Sequence, residues 1–236
     1  MIVAIDGPAG SGKSTTARQV ADRLGWLYLD TGAMYRAVGL AFRERSLPVT
    51  DAAAESLLPG LDVRLTPGPD GTRVALDGDD VTDRIRTPEA AADASRASAL
   101  AAVRTAMVAL QRQAAAAYTA ETGRGVVLEG RDIGTVVFPD ADVKFFLVAD
   151  LDARARRRLA DFAGADGDSG PEPASAALET VRAELDARDA RDRDRTHAPL
   201  RAAPDAVTLD TTALTIDQQV EAVLAAVRRV REPSAS

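Results

Sequence analysis

The residues best suited to chemistry lie near the N-terminus. Gly7-Pro8-Ala9-Gly10-Ser11-Gly12-Lys13-Ser14 fits G-x-x-x-x-G-K-[ST], the phosphate-binding P-loop pattern. Glycines at this spacing let successive backbone N–H groups turn inward around phosphate oxygens, and a helix starting at the same place adds partial positive charge. In such a loop Lys13 reaches the outer phosphates and the Ser14 hydroxyl binds Mg²⁺. The nucleotide-binding set then runs over Gly7, Pro8, Ala9, Gly10, Ser11, Gly12, Lys13, Ser14 and Thr15. Lys13 is one of only two lysines in the chain, the other being Lys144, so a lysine at this point is not a compositional accident. The alternative is an ordinary glycine-rich turn. The flanks argue against it: Ile2-Val3-Ala4-Ile5-Asp6 is an apolar run suited to a buried strand, and Ala17, Val20, Ala21 and Leu24 recur at helical spacing behind the loop.

Two further groups share the position after a strand, the edge at which open α/β sheets bind ligands. Thr31 follows the short strand expected at 26–30 and caps a helix expected at 34–45, with Tyr35 and Arg36 in its first turns. This is either a second phosphate site or a plain cap beside a surface arginine. Gly130-Arg131-Asp132-Ile133-Gly134-Thr135 follows the buried-type strand 126–129. Its glycines permit close backbone approach, Arg131 offers a planar fork for phosphate, and Asp132 can accept from a sugar or base. A structural turn with an internal ion pair is the alternative.

Around these groups strands alternate with helices, which predicts an α/β fold with a parallel five-stranded sheet flanked by helices. Residues 61–65, 72–77 and 81–85 break that texture with period-two alternation between turns, and read as a small antiparallel β insert over about 61–86. Thr87-Pro88 opens a long helical region to about 121, with Val103, Met107, Leu110 and Ala114 as its apolar stripe; by pattern alone Ser95 and Arg104 face solvent. An apolar strand at 143–148 leads to a helix carrying Arg154, Arg156, Arg157 and Arg158. A glycine-rich loop at 164–173 separates it from a helix at 174–195. There Arg188, Asp192 and Arg195 fall on one face at i, i+4 and i+7. Such a charge run suits a solvated, self-paired helix; two arginine-rich helices around a flexible loop also suit a lid over phosphates. A short strand at 206–210 and a helix at 215–231 with Val220, Val223, Leu224 and Val227 inward close the chain, and 232–236 frays.

Composition sets the outer limits. The chain has 236 residues and a net charge of −7, so nothing global suggests a nucleic-acid partner. Cysteine is absent, which excludes disulfides, thiolate catalysis and Cys-ligated zinc. The single histidine, His197, cannot build a multi-His metal site. The sequence starts directly with its first strand and holds no apolar run long enough to span a bilayer, so a cytoplasmic location with no membrane partner is expected. Monomer is the expected state, since no heptad or exposed apolar stripe stands out.

Over nearly its whole length the sequence resembles the bacterial cytidylate kinases, P-loop nucleoside monophosphate kinases. The segments that carry the resemblance are I-D-G-P-A-G-S-G-K-S at 5–14, L-D-T-G-A-M-Y-R at 29–36, E-G-R-D-I-G-T-V-V-F-P-D-A at 129–141 and R-D-A-R-D-R-D-R-T-H-A-P-L at 188–200. The resemblance implies one P-loop kinase domain over 1–236, with a core of 1–60, 87–150 and 196–236, a monophosphate-binding insert at about 61–86 and a lid at about 151–195. It implies that ATP with Mg²⁺ is the phosphoryl donor and that CMP and dCMP are the small-molecule acceptors. Thr31, Tyr35, Arg36 and Arg131 would hold the acceptor's phosphate and its surroundings. Ser95, Arg104 and Asp132 would read the cytosine edge, Arg188 and Asp192 would contact the ribose, and Arg157, Arg188 and Arg195 would join Lys13 on the transferred group. Residue 129 is Glu where many relatives carry Asp, and the lid loop matches least. Two rivals stand beside this reading: a P-loop kinase for another small acceptor such as UMP, AMP or shikimate, and a non-catalytic nucleotide switch module.

Overall fold

Strand β1 (Ile2–Asp6) leads through the glycine loop into α1 (Lys13–Leu24), and β2 (Leu27–Asp30) runs straight into α2 (Thr31–Glu44). A short α3 (Asp51–Leu57) precedes the hairpin strands β3 (Val63–Gly68), β4 (Gly71–Leu76) and β5 (Asp79–Asp80). Next come α4 (Pro88–Ala97), α5 (Ala101–Thr122), β6 (Val126–Gly130), a π-helical turn (Ile133–Val137) and β7 (Val143–Val148). The chain closes with α6 (Leu151–Ala165), α7 (Ser175–Arg193), β8 (Val207–Asp210) and α8 (Ile216–Arg231). This computed structural model describes residues 1–68, 71–165 and 175–232. Of the loop expected at 164–173, residues 166–173 lie outside the described residues, as do turn residues 69–70 and tail residues 233–236.

The expected five-stranded parallel sheet is present, in the order β2-β6-β1-β7-β8, and β3-β4-β5 form a separate antiparallel sheet. The chain forms two compact units, Met1–Val3 with Ala17–Gly130, and Ala4–Thr16 with Arg131–Ser236.

In the first unit, β2 and β6 pair from Leu27↔Val126 to Asp30↔Glu129, so their carboxyl ends stop level. One apolar core joins Met34, Val38, Leu40 and Phe42 of α2 to Ala90 and Ala94 of α4, Val103 and Met107 of α5, and Val63, Val74 and Leu76 of the hairpin. The insert is therefore rooted in this core rather than folded around one of its own. Helices α2 and α4 nearly touch: a Cβ built on Gly39 would stand 2.7 Å from the Asp93 Cβ and 2.9 Å from the Ala94 nitrogen.

The third insert strand differs from expectation. Asp77 and Gly78 both have positive φ (53° and 94°), a combination that permits a tight hairpin turn. Asp79 and Asp80 then pair with β4, and the Val81 amide donates to the Val74 carbonyl at 2.9 Å. The chain next bends into a helical turn in which the Ile85 amide donates to the Val81 carbonyl at 3.0 Å. Val81 and Ile85 are both buried while Asp83 is exposed. Positions i and i+4 share a face in strands and helices alike, which is why alternation misread this stretch.

In the second unit, β7 and β8 pair from Phe145↔Val207 to Val148↔Asp210. Helix α8 buries Val220, Val223, Leu224 and Val227, the expected inner face, and adds the fully buried Gln219. Thr215 and Gln218 form a reciprocal capping box at its start.

Candidate functional site

The glycine loop takes the shape its sequence requires. Gly10 and Gly12 have φ of 75° and 89°. A Cβ on Gly10 would lie 3.0 Å from the Cβ of Arg154, and one on Gly12 would lie 2.8 Å from the amide oxygen of Gln219. A larger residue at either position would combine backbone strain with a clash. Lys13 is buried, and its Nζ donates to the Pro8 carbonyl at 3.2 Å, so the ammonium lies across the loop it closes. Ser11 is fully buried, and its hydroxyl has no hydrogen-bond partner. Ser14, in the first turn of α1, is exposed. The loop is fastened from outside: the Thr211 hydroxyl donates to the Ser11 carbonyl (2.9 Å), and the Thr16 hydroxyl donates to Gln219 Oε1 (2.8 Å).

The G-R-D segment belongs to the same unit. Asp6, the last residue of β1, accepts the backbone N–H groups of Ile133 and Gly134, each at 2.8 Å. Burial pushes the Asp6 carboxyl up to about 7; the two amides and Arg131 counter that, and Asp132 adds to it. Arg131 Nε donates to Asp192 Oδ2 at 2.8 Å, and Arg195 pairs with Asp192 Oδ1. Burial would raise the Asp192 carboxyl, but Arg131, Arg195 and Arg188 more than offset it and hold the group below the ordinary carboxylate range. Asp132 is also buried.

Expected residues Arg131, Asp192 and Arg195 thus meet, with Arg188 contributing its charge to the same carboxylate. One detail is corrected. Arg195 is not on a continuous helical face with Arg188, because α7 ends at Arg193; it reaches Asp192 from beyond the helix end. Arg157 stands apart from this cluster. Its guanidinium donates to the Thr211 carbonyl and to the Thr211 hydroxyl at 3.2 Å. His197 is exposed.

The first unit holds the remaining expected residues. Asp30, not Thr31, is the N-cap of α2: its Oδ1 accepts from the Ala33 amide at 2.9 Å, while its Oδ2 pairs with Arg36 at 2.9 Å. Thr31 is instead the first helical residue, and its hydroxyl donates to the Glu129 carbonyl of the neighbouring strand at 2.7 Å. The cause is the last residue of β2. Asp30 keeps an extended conformation there, and its carboxylate reaches the third amide onward as a cap must.

Tyr35 and Arg104 come together, with the guanidinium 5.9 Å from the ring centroid, a cation–π distance. Helix pattern placed Ser95 and Arg104 toward solvent, but both are buried, at 8% and 5% exposure, and the Ser95 hydroxyl has no hydrogen-bond partner. The buried face of α5 runs through Val103, Arg104, Met107, Gln111 and Ala115, whereas Leu110 and Ala114 of the expected stripe are only half-buried. Counting only apolar residues misplaces the face, because two of its members, Arg104 and Gln111, are polar.

Three residues to which the sequence assigns no role also engage this unit: Asp6, Arg154 and Asp189. Asp6 had a legible signal, a lone carboxylate ending an otherwise apolar strand directly before the loop. Arg154 and Asp189 sit within arginine-rich helices and have no local mark.

A strand, a glycine loop closed by lysine and a helix, set in a parallel α/β sheet and accompanied by clustered arginines, define a P-loop protein of the phosphotransferase class. The family model described as Cytidylate kinase matches residues 3–229, and the chain belongs to that family. It is 52% identical over 224 residues to a cytidylate kinase of Salinibacter ruber, covering 95% of each chain. It is 46% identical to one of Syntrophotalea carbinolica, covering 99% of this chain and 96% of the relative. With one of Solibacter usitatus it shares 48% identity, covering 97% and 92%.

Proposed function

We propose that the protein is a cytidylate kinase, transferring the γ-phosphoryl group of ATP to CMP or dCMP to give CDP or dCDP and ADP. An oxygen of the acceptor's phosphate attacks the γ-phosphorus in line, and the bond to the bridging oxygen of ADP breaks. The protein's part is positioning and cations, since the transferred group carries heavy charge and needs no nucleophilic side chain. The loop from Gly7 to Thr15 holds the donor phosphates, with Lys13 on the outer ones. Mg²⁺ neutralises charge on the phosphoryl oxygens when bound, and Ser14 is the residue to hold it. Its exposed hydroxyl at the helix start suits a hard cation that keeps water and phosphate as its other ligands. Among the described residues no group of three or more His, Asp or Glu could cage a metal, which accords with that sharing.

On the acceptor side, Thr31, Tyr35, Arg36 and Arg131 hold the monophosphate, Ser95, Arg104 and Asp132 read the base, and Arg188 and Asp192 take the ribose. Arg157, Arg188 and Arg195 serve the transferred group. The observation that carries the acceptor assignment is Ser95: a buried hydroxyl with no partner is costly, and a polar base edge would supply one. We place the protein in the cytoplasm as a monomer acting on small molecules, with neither nucleic acid nor membrane as partner. Its net charge of −7 supports the first exclusion, and among the described residues no helix is long and apolar enough to cross a membrane.

The test is ADP release from Mg²⁺–ATP with CMP, dCMP, UMP, AMP and GMP offered singly. Fast turnover with CMP and dCMP and little with the purines is expected. Firm ATP binding with turnover on none of them would overturn the acceptor and favour the switch module.

A further inference from the structure

Arg154 lies at the start of α6, and two nitrogens of its guanidinium, Nε and Nη1, engage three acceptors. Its Nε donates to the Ala149 carbonyl at 3.0 Å. Its Nη1 donates to the carbonyl of Ala9, at the tip of the P-loop, at 3.1 Å, and the same nitrogen pairs with the carboxylate of Asp189. Arg154 is 7% exposed and Asp189 1%. Asp189 lies between Arg188 and Asp192 on α7, so one buried cation joins the backbone of the nucleotide loop to the helix that carries the arginine cluster.

The packing tells the same story independently. Ala9 is buried in an apolar cluster with Ala155 of α6 and Val181 and Leu185 of α7. Gly10 approaches α6 so closely that a Cβ there would stand 3.1 Å from the Arg154 carbonyl oxygen. The loop tip is thus seated on the start of α6 and the middle of α7, and a shift of one is transmitted to the other because packed interiors yield little.

We infer that Arg154 and Asp189 are a positioning pair, which fixes the last turns of α7 against the P-loop so that Arg188 and Asp192 are held in register with the bound donor. The inference rests on the proposed role of those two residues in phosphoryl transfer. Neither Arg154 nor Asp189 touches substrate; each acts through what it holds. A buried charge pair that only stabilised the fold could be exchanged for apolar groups without loss of turnover. A positioning pair could not, because misplacing reacting groups by about an ångström costs on the order of 10²-fold in rate.

The experiment compares wild type, Arg154→Lys, Asp189→Asn and the double variant, at a temperature where circular dichroism shows all four folded. Lysine keeps the charge but cannot span the three acceptors that the guanidinium reaches. Asparagine keeps the shape and removes the charge. Each single variant is expected to lower kcat about tenfold or more, with KM for ATP changed far less. The double variant is expected to lose no more than the worse single, since the pair acts as a unit. A folded single variant with wild-type kcat, or losses that multiply in the double variant, overturns the inference. If a charged single variant unfolds, Arg154→Met with Asp189→Leu removes both buried charges together; folded and slow is expected, and folded with wild-type kcat again overturns it. The ratio of variant to wild type is taken on whichever acceptor the wild type uses, so a wrong acceptor assignment would show in the wild-type panel and leave this comparison intact.

Discussion

Arg131 Nε donates to Asp192 Oδ2 at 2.8 Å, and the other oxygen of that carboxylate is taken by Arg195. One buried anion therefore aims two guanidiniums that come from different parts of the chain. Asp192→Asn removes the charge and leaves a single acceptor oxygen for two cations. Breaking a buried pair from one side costs up to about 3–5 kcal/mol, so KM for CMP should rise about tenfold or more while KM for ATP changes little. Steady-state kinetics with each substrate varied in turn checks this; an equal rise in both KM values would mean that Asp192 serves the donor as well.

Lys13 is the cation closing the P-loop, and Lys13→Ala removes it where charge develops in the transition state. The expected fall in kcat is roughly 10³-fold, with the fold intact by circular dichroism. A folded Lys13→Ala protein with near-normal turnover would remove the loop from the mechanism.

Gly39 has no room for a methyl group. Its Cβ would meet the Cβ and carbonyl carbon of Asp93 at 2.7 and 2.8 Å, and part of that obstacle is backbone, which cannot swing away. Gly39→Ala must separate α2 from α4, at an expected cost of about 1–3 kcal/mol in urea unfolding. Because α2 carries Tyr35 and Arg36 while α4 carries Ser95, KM for CMP should rise with it. Unchanged stability would mean that the two helices slide apart freely.

The Thr31 hydroxyl ties the first turn of α2 to the Glu129 carbonyl of β6 at 2.7 Å. Thr31→Val keeps the shape and loses that bond, at about 1 kcal/mol; Thr31→Ser keeps the hydroxyl. Thermal midpoints should rank wild type and Ser above Val, and KM for CMP should follow the same order. A Val protein equal to Ser in both would leave the hydroxyl without a role.

The sheet, the loop and the order of elements could be read from the sequence because each rests on local pattern: the apolar runs at 2–6 and 143–148, the glycine spacing at 7–12, and Pro88 at the start of a helix. What local pattern could not resolve depended on partners distant in the chain. Asp30 rather than Thr31 caps α2 because of where β2 stops. Val81 and Ile85 satisfy strand and helix periods equally, and the bond from the Ile85 amide to the Val81 carbonyl makes the stretch helical. Arg104 is buried within a helix whose apolar residues alone suggested another face. Arg154 and Asp189, 35 positions apart, look like any other charges in an arginine-rich segment until the fold brings them together.

Asp6 offers a test by pH. Its carboxyl is raised from the ordinary 3.8 to about 7, chiefly by burial. Between those values the unfolded chain has released the proton and the folded chain keeps it, so folding takes up a proton. Stability from this group is fully present below about pH 4 and is lost as pH rises to about 7, at roughly 1.4 kcal/mol for each pH unit of separation. Asp6→Asn cannot titrate. It should be less stable near pH 4, because its single acceptor oxygen cannot serve both the Ile133 and Gly134 amides. The deficit should narrow as pH climbs from 4 to 7 and stay constant above, since only the wild type loses stability across that window. Urea unfolding of both proteins at steps of pH measures it. Parallel curves would show that Asp6 is already ionised at pH 4 in the folded protein, and that its two backbone bonds outweigh its burial.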